Sequence, residues 1–278
     1  MFYGRKLIIA TKHKKENVIA PILEKGLGVR CFTDETFDTD TLGTFTGEIK
    51  RELDPVETVR KKCLLAMQQN KCDLGVASEG SFGSHPSIFF ANADDEFLIF
   101  IDKKNNLEIL ERELSIETNF NGREITTEEE LFHFAKSVKF PSHGLILRKS
   151  KNENSDIIKG IIDATQLKKA FRKLIEIYNT VYVETDMRAM FNPSRMNVIE
   201  NVTKKLINKI NSYCPQCSIP GFGITDLKKG LACSLCGSPT NSTLSFIYSC
   251  QKCDYIKEEM YPHKKTTEDP MYCDYCNP

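Results

Sequence analysis

The sequence predicts an α/β domain with a mixed sheet, followed by a C-terminal double zinc ribbon. Short apolar runs alternate with segments that begin with helix-capping residues, which is typical of α/β proteins. A series of strands without helices between them lies in the middle of the chain, so part of the sheet should be antiparallel. Eight of the eleven cysteines form four Cys-x-x-Cys pairs near the C-terminus. We therefore expect two domains, at 1–210 and 211–278.

The first third of the chain reads as strands alternating with helices. Lys6–Ala10 is a short apolar run bounded by polar residues and predicts a buried strand. Asp54, Pro55 and Glu57 combine an N-cap, a first-turn proline and an acid, which together predict a helix start. The predicted elements are, in order, a strand at 6–10, a helix at 17–25, a strand at 29–32, a loop at 33–47, a helix at 54–69, a strand at 73–78 and a tight glycine-rich loop at 79–86.

The rest of the first domain reads as a meander followed by three capped helices. Thr127 and Asp163 are N-cap residues, and Pro193 stands at the first position of the last helix. The predicted elements are strands at 88–91, 96–102 and 107–119, a helix from 127, a strand at 144–148, a helix at 163–178, a strand at 181–184 and a helix at 192–211. This order predicts a mixed sheet covered by helices.

The four cysteine pairs supply the ligands for two tetrahedral metal ions. They are Cys214 with Cys217, Cys233 with Cys236, Cys250 with Cys253, and Cys273 with Cys276. Two pairs complete one four-thiolate zinc shell, which leaves no position for a reactive water and is therefore structural. Three pairings are compatible with the spacing. We favour the two inner pairs on one ion and the two outer pairs on the other, over the sequential and the interleaved pairings.

Disulfides and an iron–sulfur centre are the alternative uses of these cysteines. No apolar signal segment opens the sequence, and Cys31, Cys63 and Cys72 have no partner close in sequence. We therefore expect a reducing, cytoplasmic location and zinc. No apolar run approaches the ~18 residues that a membrane span requires, so no membrane contact is expected.

Charge argues against general nucleic-acid binding. Over 211–278 there are six lysines, no arginine and seven carboxylates, and eight thiolates outweigh two zinc ions by four further negative charges. The first 210 residues hold 32 basic and 31 acidic side chains. Neither part attracts a phosphate backbone by bulk charge, although the aromatic residues of the second part offer rings for stacking or for packing a small core. Ligand binding must therefore come from a local site.

Two loops at the ends of predicted strands are candidate phosphate sites. The first lies where a buried strand gives way to a helix, a place where backbone amides and ammonium groups bind anions. The second is the glycine-rich stretch, whose backbone permits close approach and whose carboxylate suits Mg2+. The alternatives are a solvated basic turn and a purely structural glycine turn. The candidate residues are Thr11, Lys12 and Lys15 in the first loop, and Ser78, Glu79 and Ser81 in the second.

A third candidate combines carboxylates and guanidinium groups within twelve residues. Its members are Glu184, Asp186, Arg188 and Arg195. Such a set can hold a metal ion and a phosphate together, or its charges can pair with each other as a structural cluster. His143 is a fourth candidate, and its alternative is a polar residue whose hydrogen bonds are satisfied beside a strand.

Taken in order, these elements resemble the inosine/xanthosine triphosphate pyrophosphatases. Residues 9–16 (Ile-Ala-Thr-Lys-His-Lys-Lys-Glu) are similar to the opening phosphate loop of that family, with His13 near the position of its asparagine. Residues 57–66 resemble its second helix, whose acid and lysine face the triphosphate and the metal. Residues 73–80 are similar to the strand and acidic turn that bind Mg2+. Ser194-Arg195 resembles the Ser-His-Arg turn that binds the base, without the histidine.

The resemblance implies a metal-dependent nucleotide phosphohydrolase or a nucleotide-binding protein. Its ligand would be a nucleotide or another phosphorylated small molecule, and Mg2+ would assist the attack of water. The implied site consists of Lys12, Lys15 and Lys61 on the phosphates, Glu57 and Glu79 on Mg2+, and Asp186, Arg188 and Arg195 completing the pocket.

Over its full length the chain is similar to a bacterial family of unknown function. Members of that family carry Ala-Ser-Glu-Gly-Ser-Phe-Gly, found here at 77–83, Glu-Thr-Asp-Met-Arg-Ala, found here at 184–189, and four cysteine pairs. This resemblance implies no particular activity. The alternative function is a nucleic-acid-binding or protein-binding zinc-ribbon protein whose α/β part is a non-catalytic scaffold. An enzyme acting on RNA would use both parts.

Overall fold

The computed structural model describes residues 1–37, 53–151 and 153–278. This part of the chain forms two compact units, Met1–Ile207 and Asn208–Pro278. The loop predicted at 33–47 lies for the most part outside the described residues. No helix in the described ranges combines the length and the hydrophobicity that crossing a bilayer requires.

A five-stranded mixed sheet forms the centre of the first unit. Its strands are β1 (Lys6–Ala10), β2 (Arg30–Phe32), β3 (Leu74–Ser84), β4 (Asn92–Asp102) and β5 (Leu107–Ser115). Their order is β2-β1-β3-β4-β5, with β1 parallel to both neighbours and the β3-β4-β5 part antiparallel. The predicted α/β class with a mixed sheet is confirmed, because parallel strands linked by helices and an antiparallel meander share one sheet.

Three of the helices begin at the predicted capping residues. The α-helices of the described residues are α1 (Glu16–Leu27), α2 (Pro55–Gln69), α3 (Glu128–Ser137), α4 (Ala164–Tyr178) and α5 (Pro193–Ile210). The Asp54 carboxylate accepts hydrogen bonds from the amides of Val56 and Glu57 at 2.8 and 3.0 Å. Thr127 caps α3 and Asp163 caps α4 in the same way. These bonds satisfy amides that have no partner within the helix, which is why the caps mark its start.

The hairpin of β3 and β4 is longer than predicted. The prediction of a loop at 79–86 is wrong, because β3 continues to Ser84 in register with β4. The strand expected at 88–91 lies in the turn between them. Gly80 lies opposite Glu96, and the small residue leaves room for charged side chains above the sheet. The glycine therefore marks a close approach of side chains and not a turn.

A second sheet belongs to the same unit. Its strands are β6 (Gly122–Ile125), β7 (Leu145–Arg148), β8 (Ile158–Ile161) and β9 (Val181–Thr185), in the order β6-β9-β7-β8 with antiparallel neighbours. Residues of α3 and α4, such as Phe134 and Phe171, pack with Leu145 and Val183 of this sheet in one apolar core. The sequence predicted β7 and β9 but not the two edge strands, which are only four residues long.

The second unit contains a three-stranded antiparallel sheet with a very small apolar core. Its strands are β10 (Gly223–Lys229), β11 (Thr243–Ser249) and β12 (Ile256–Met260), in that order. The ring of Phe222 lies 5.8 Å from the rings of both Tyr248 and Tyr255, measured between centroids. These three rings pack together in one small apolar cluster, which is the packing alternative given above. A core of this size does not stabilise a fold by itself, so further cross-links are required.

Candidate functional site

The eight paired cysteines of the second unit form two four-cysteine clusters. The first consists of Cys214, Cys217, Cys250 and Cys253, and the second of Cys233, Cys236, Cys273 and Cys276. Sγ atoms from different pairs of one cluster lie 3.6 to 3.8 Å apart. The pairing is therefore interleaved: the first pair joins the third, and the second joins the fourth.

This pairing corrects our expectation that the inner pairs share one ion and the outer pairs the other. The reason is that the pairs alternate with the strands of an antiparallel sheet. The first pair precedes β10 and the third follows β11, so both lie at one end of the sheet, where Gly223 is paired with Ser249. The second pair follows β10 and the fourth follows β12, at the other end. Strand direction thus separates the two clusters.

The donor set of each cluster fits a structural zinc ion. Four thiolates about 2.3 Å from one zinc ion lie about 3.8 Å from each other at the corners of a tetrahedron. A disulfide would need about 2.05 Å between sulfur atoms, and all eleven cysteines are free thiols. The first three pairs form the same tight turn, in which the Cys214, Cys233 and Cys250 amides donate to a carbonyl five residues later at 2.9, 2.8 and 2.9 Å. The two clusters therefore fit two structural zinc ions.

A cluster of buried charged side chains lies in the first unit, at the C-terminal end of β1. This strand ends opposite Ala77, whereas β3 continues beyond that point. The loop after β1 has left-handed backbone at His13 and Lys14, with φ of 70° and 62°, and turns Lys15 toward β3. The Lys15 ammonium donates a hydrogen bond to the Ser78 hydroxyl at 3.0 Å. The first predicted loop and the end of the predicted strand at 73–78 thus meet.

Lys62 of α2 brings a second ammonium group to the same place. Its Nζ donates to the carbonyl oxygen of Ser78 at 3.1 Å and forms an ion pair with Glu79. Ser78 and Glu79 point to opposite faces of the sheet, because side chains alternate along a strand. Both lysines and the Glu79 carboxylate are buried. Two ammonium groups therefore meet at Ser78.

Arg195 of α5 closes the cluster on the Ser78 face. Its Nε donates to Glu96 Oε1 at 2.6 Å, and its Nη1 donates to the Met187 carbonyl oxygen at 2.5 Å. Its guanidinium lies 5.0 Å from the centroid of the Phe82 ring. Glu96 is 0% exposed and Arg195 is 5% exposed. A Cβ on Gly80 would overlap both Glu96 Oε1 and Arg195 Nη2, so the glycine is needed for this ion pair.

We expect Gly80→Ala to destabilise the first unit by about 1–3 kcal/mol, because the added methyl group displaces a buried ion pair. Gly83→Ala is the matched control, since a Cβ there meets no atom within 4 Å and the residue lies on the same strand. Urea unfolding followed by far-ultraviolet circular dichroism measures both. Equal effects of the two substitutions would contradict the role given to Gly80.

Lys15 of the cluster has a displaced pKa, and so does Asp94, which lies two residues before Glu96 on the same face of β4. Burial and the nearby charge of Arg195 lower the pKa of Lys15 to about 7, against the opposing effect of Glu96. Burial and the negative charge of Glu96 raise the pKa of Asp94 to about 8. Displaced values of this kind concentrate at functional sites, although structural ion pairs also cause them.

The raised pKa of Asp94 predicts a pH-dependent stability. Because its folded value of about 8 lies above the unfolded value of 3.8, the folded protein loses unfolding free energy as pH rises through that window. Asparagine does not titrate, so Asp94→Asn should gain stability relative to the unsubstituted protein from about pH 6 to about pH 9, without added divalent cations. Urea unfolding at both pH values tests this. Asp95→Asn, which removes a partner of Arg112, is the control. Because the Asp95 charge is the smallest of the causes that raise the pKa of Asp94, this variant should show a much smaller trend, and an equally large trend would contradict the assignment.

The remaining residues of the two predicted loops lie near the cluster or on the surface of α2. Thr11 and Lys12 are half-buried in the loop that leads to Lys15, and Ser81 is half-buried on β3. Glu57 and Lys61 are exposed. Lys62, one residue after the predicted Lys61, is the lysine of α2 that reaches Glu79.

The third candidate divides between two places. Arg195 belongs to the charged cluster, but the Asp186 carboxylate binds the Arg188 guanidinium and accepts the Gly160 amide at 3.1 Å. Glu184 forms an ion pair with Arg148. These carboxylates are thus engaged at the second sheet.

His143 lies at the start of α5. Its Nε2 accepts a hydrogen bond from the Ser194 amide at 3.3 Å and lies 2.9 Å from the Ser194 hydroxyl. Burial lowers the pKa of this imidazole. His143 therefore acts as a satisfied polar residue that caps a helix, which is the alternative interpretation given above.

Three charged residues of this region, Lys62, Asp94 and Glu96, were not among the candidates predicted from the sequence. Lys62 lies one helical turn after Thr58, and both are buried, so the apolar phase of α2 carried a usable signal. Asp94 and Glu96 lie two residues apart and share one face of β4. Glu96 is buried with its ion-pair partner Arg195, which is 99 residues away in sequence. Such a distant partner is not visible in a local pattern.

A comparison with protein families identifies the group to which the protein is related. The family described as a domain of unknown function (DUF6671) matches residues 62–278. The chain belongs to this family. The matched range includes Lys62, Glu79, Arg195 and the eight paired cysteines, whereas the loop that carries Lys15 precedes it. No curated protein matches the chain.

Proposed function

We propose that the first unit is a metal-dependent phosphohydrolase that acts on a nucleotide, with the second unit as a structural zinc module. The observation that supports this most is the meeting of the Lys15 and Lys62 ammonium groups with the Arg195 guanidinium beyond the end of β1. Ligands of open α/β sheets bind at the carboxyl ends of strands. Convergent cations and the amides of a loop before a helix are the groups that hold phosphate there.

The bound phosphate would replace Ser78 as the hydrogen-bond acceptor of both ammonium groups. Glu79, held by Lys62, would accept the proton of the attacking water. Mg2+, when bound, would supply further neutralisation of the phosphate charge. Glu57 and the Asp186–Arg188 pair stay predictions for the outer part of the site. Lys62, which reaches Glu79, would take the phosphate-binding role that the resemblance assigns to the exposed Lys61.

The similarity to the triphosphate pyrophosphatases supports a nucleotide as the substrate. In that assignment the phosphate loop and the acidic strand have to lie next to each other. β1, which leads into the phosphate loop, and β3, which carries Glu79, are parallel neighbours, with Ala10 paired to Ala77. This arrangement agrees with the assignment.

A screen of nucleoside triphosphates, nucleoside diphosphates and nucleotide sugars with Mg2+ tests the proposal. We expect release of phosphate or pyrophosphate from at least one compound, and its loss in Glu79→Gln. Lys62→Gln should lower kcat/KM by about 10–100-fold, because a charge-assisted hydrogen bond contributes about 1.5–3 kcal/mol. Lys61→Gln, one residue away on the exposed side of α2, is the matched control and should keep the activity.

The fraction of folded protein in each variant must be compared first, because Lys62→Gln removes one partner of a buried ion pair and can unfold the protein. Circular dichroism of both lysine variants provides this comparison. The absence of both turnover and a thermal shift with every compound of the screen would contradict the proposal. Equal losses in the two lysine variants would contradict the role given to Lys62.

A second candidate function, protein binding by the second unit, is favoured by exposed apolar side chains around its second cysteine cluster. Leu235, Met271, Tyr272 and Tyr275 are 74%, 62%, 60% and 78% exposed, and all lie within or beside the cysteine turns. Aromatic residues and methionine are enriched in protein interfaces. The negative charge of the unit disfavours a nucleic acid.

Binding assays with two classes of partner separate these possibilities. RNA titrated below about 50 mM salt, where phosphate contacts are strongest, should not bind. A protein partner retained by the unsubstituted chain should be lost by a variant with both Leu235→Ser and Tyr275→Ser. Retention of that partner by the variant would contradict the assignment of this surface.

A further inference from the structure

Two carboxylates of β4 have three oxygen atoms without a hydrogen-bond partner. Asp94 is 1% exposed and Glu96 is 0% exposed, and both lie on one face of the strand, opposite Phe82 and Gly80. Among the described residues, neither oxygen of Asp94 has a hydrogen-bond partner, and the same holds for Glu96 Oε2. The fourth oxygen, Glu96 Oε1, accepts from Arg195. The unpartnered atoms thus belong to side chains that solvent does not reach.

The neighbouring cations do not satisfy these oxygen atoms. Lys15 Nζ is 3.9 Å from Glu96 Oε2, which is too long for a hydrogen bond, and it donates to Ser78 instead. Arg195 directs its Nε to Glu96 Oε1 and its Nη1 to the Met187 carbonyl oxygen. Burying carboxylate oxygens without partners is costly, and coordination of a metal ion is one of the ways in which proteins compensate for it.

The donor chemistry selects a hard divalent cation. Mg2+ binds oxygen ligands and is commonly held by one or two carboxylates together with water and substrate phosphates. We propose that Asp94 and Glu96 bind a divalent cation of the Mg2+ and Mn2+ class through these three oxygen atoms. This site would supply the metal ion of the proposed phosphohydrolase, and a catalytic role of the cation rests on that proposed function. It lies on the opposite face of the sheet from Glu79, the ligand implied by the resemblance.

Mn2+ binding to the zinc-loaded, full-length protein in the absence of nucleotide tests the site. Electron paramagnetic resonance measures the free Mn2+ that remains in solution, and the loss of this signal should correspond to one bound ion per chain. Asp94→Asn should weaken its affinity by about tenfold or more, since even residues that only orient metal ligands contribute about 10–100-fold. Asp95→Asn, on the adjacent position and paired with Arg112, is the matched control and should change the affinity less than about twofold.

Paramagnetic broadening of amide signals by Mn2+ in the unsubstituted protein provides a second measurement that needs no variant. Broadening should be strongest for residues around Asp94 and Glu96. The site is wrong if the unsubstituted protein binds no Mn2+, if the broadening centres elsewhere, or if the two variants lose affinity equally. Mn2+ binding at β4 without nucleotide turnover would remove the phosphohydrolase proposal alone. Nucleotide turnover by a protein that binds no Mn2+ at β4 would remove this site alone.

Discussion

Replacing Cys217 and Cys250 together by serine should remove one zinc ion and leave the other as tightly held as before. Both residues belong to the first cluster, which would retain only two thiolates. Structural zinc contributes about 10–16 kcal/mol of apparent binding free energy, so the turns of that cluster should unfold. The loss is measured by treating the protein with a chelator and then determining the zinc that remains bound by atomic emission. The first unit should keep its circular dichroism, because its cores do not include these cysteines.

The matched control replaces Cys217 and Cys236, which are both exposed but belong to different clusters. Each cluster then keeps three thiolates, so the chelator should remove both zinc ions more readily than from the unsubstituted protein. The pairing expected from the sequence, with the two inner pairs on one ion and the two outer pairs on the other, also assigns these two cysteines to different ions. However, it places Cys217 and Cys250 on different ions as well. Weakening of both ions in the Cys217 and Cys250 variant would therefore contradict the interleaved pairing.

Arg195→Met should destabilise the first unit by about 3–5 kcal/mol, because it leaves the Glu96 carboxylate buried without its partner. The substitution also removes the hydrogen bond to the Met187 carbonyl oxygen and the contact with Phe82. Urea unfolding followed by far-ultraviolet circular dichroism measures the change, since the described helices α1 to α4 all lie in this unit.

A double-mutant cycle separates the ion pair from the other contacts of Arg195. Arg195→Met combined with Glu96→Leu removes both charges and should recover part of the lost stability, since replacing a whole buried pair by apolar groups costs little. If the double variant is no more stable than the sum of the single changes predicts, the two side chains do not stabilise each other as an ion pair.

Local signals of the sequence predicted the helices better than the sheets. Asp54, Thr127 and Asp163 act on amides within three residues, so each start could be predicted from a few letters. The extent of β3 could not, because Gly80 and Gly83 favour turns in isolation and are held in a strand by pairing with β4. The edge strands β6 and β8 have too few residues to show an alternating pattern.

Only part of the charged cluster could be predicted, because some of its residues are brought together by tertiary structure and not by a local sequence pattern. The sequence placed Lys15 and Ser78 at the ends of two predicted strands, and in the structure these strands, β1 and β3, are parallel neighbours. The choice between Lys61 and Lys62 required the phase of α2, in which one residue turns the side chain by about 100°. Asp94 and Glu96 read as surface charges, because only tertiary structure brings Arg195 to them.

The cysteine pairing shows what a spacing rule leaves out. Intervals between pairs are compatible with all three pairings. The alternation of pairs and strands decides the matter, because successive strands of an antiparallel sheet run in opposite directions. A prediction that placed β10, β11 and β12 between the pairs would have given the interleaved arrangement.

The most direct test of the central claim is a crystal structure of the protein with Mg2+ and a non-hydrolysable nucleotide analogue. The claim is that residues from separate helices, strands and loops meet at the end of β1 to hold a phosphate. We expect the phosphate oxygens to lie between the Lys15 and Lys62 ammonium groups beside Ser78, in place of the present hydrogen bonds to that serine. A nucleotide bound elsewhere, with both lysines still bonded to Ser78, would contradict the claim.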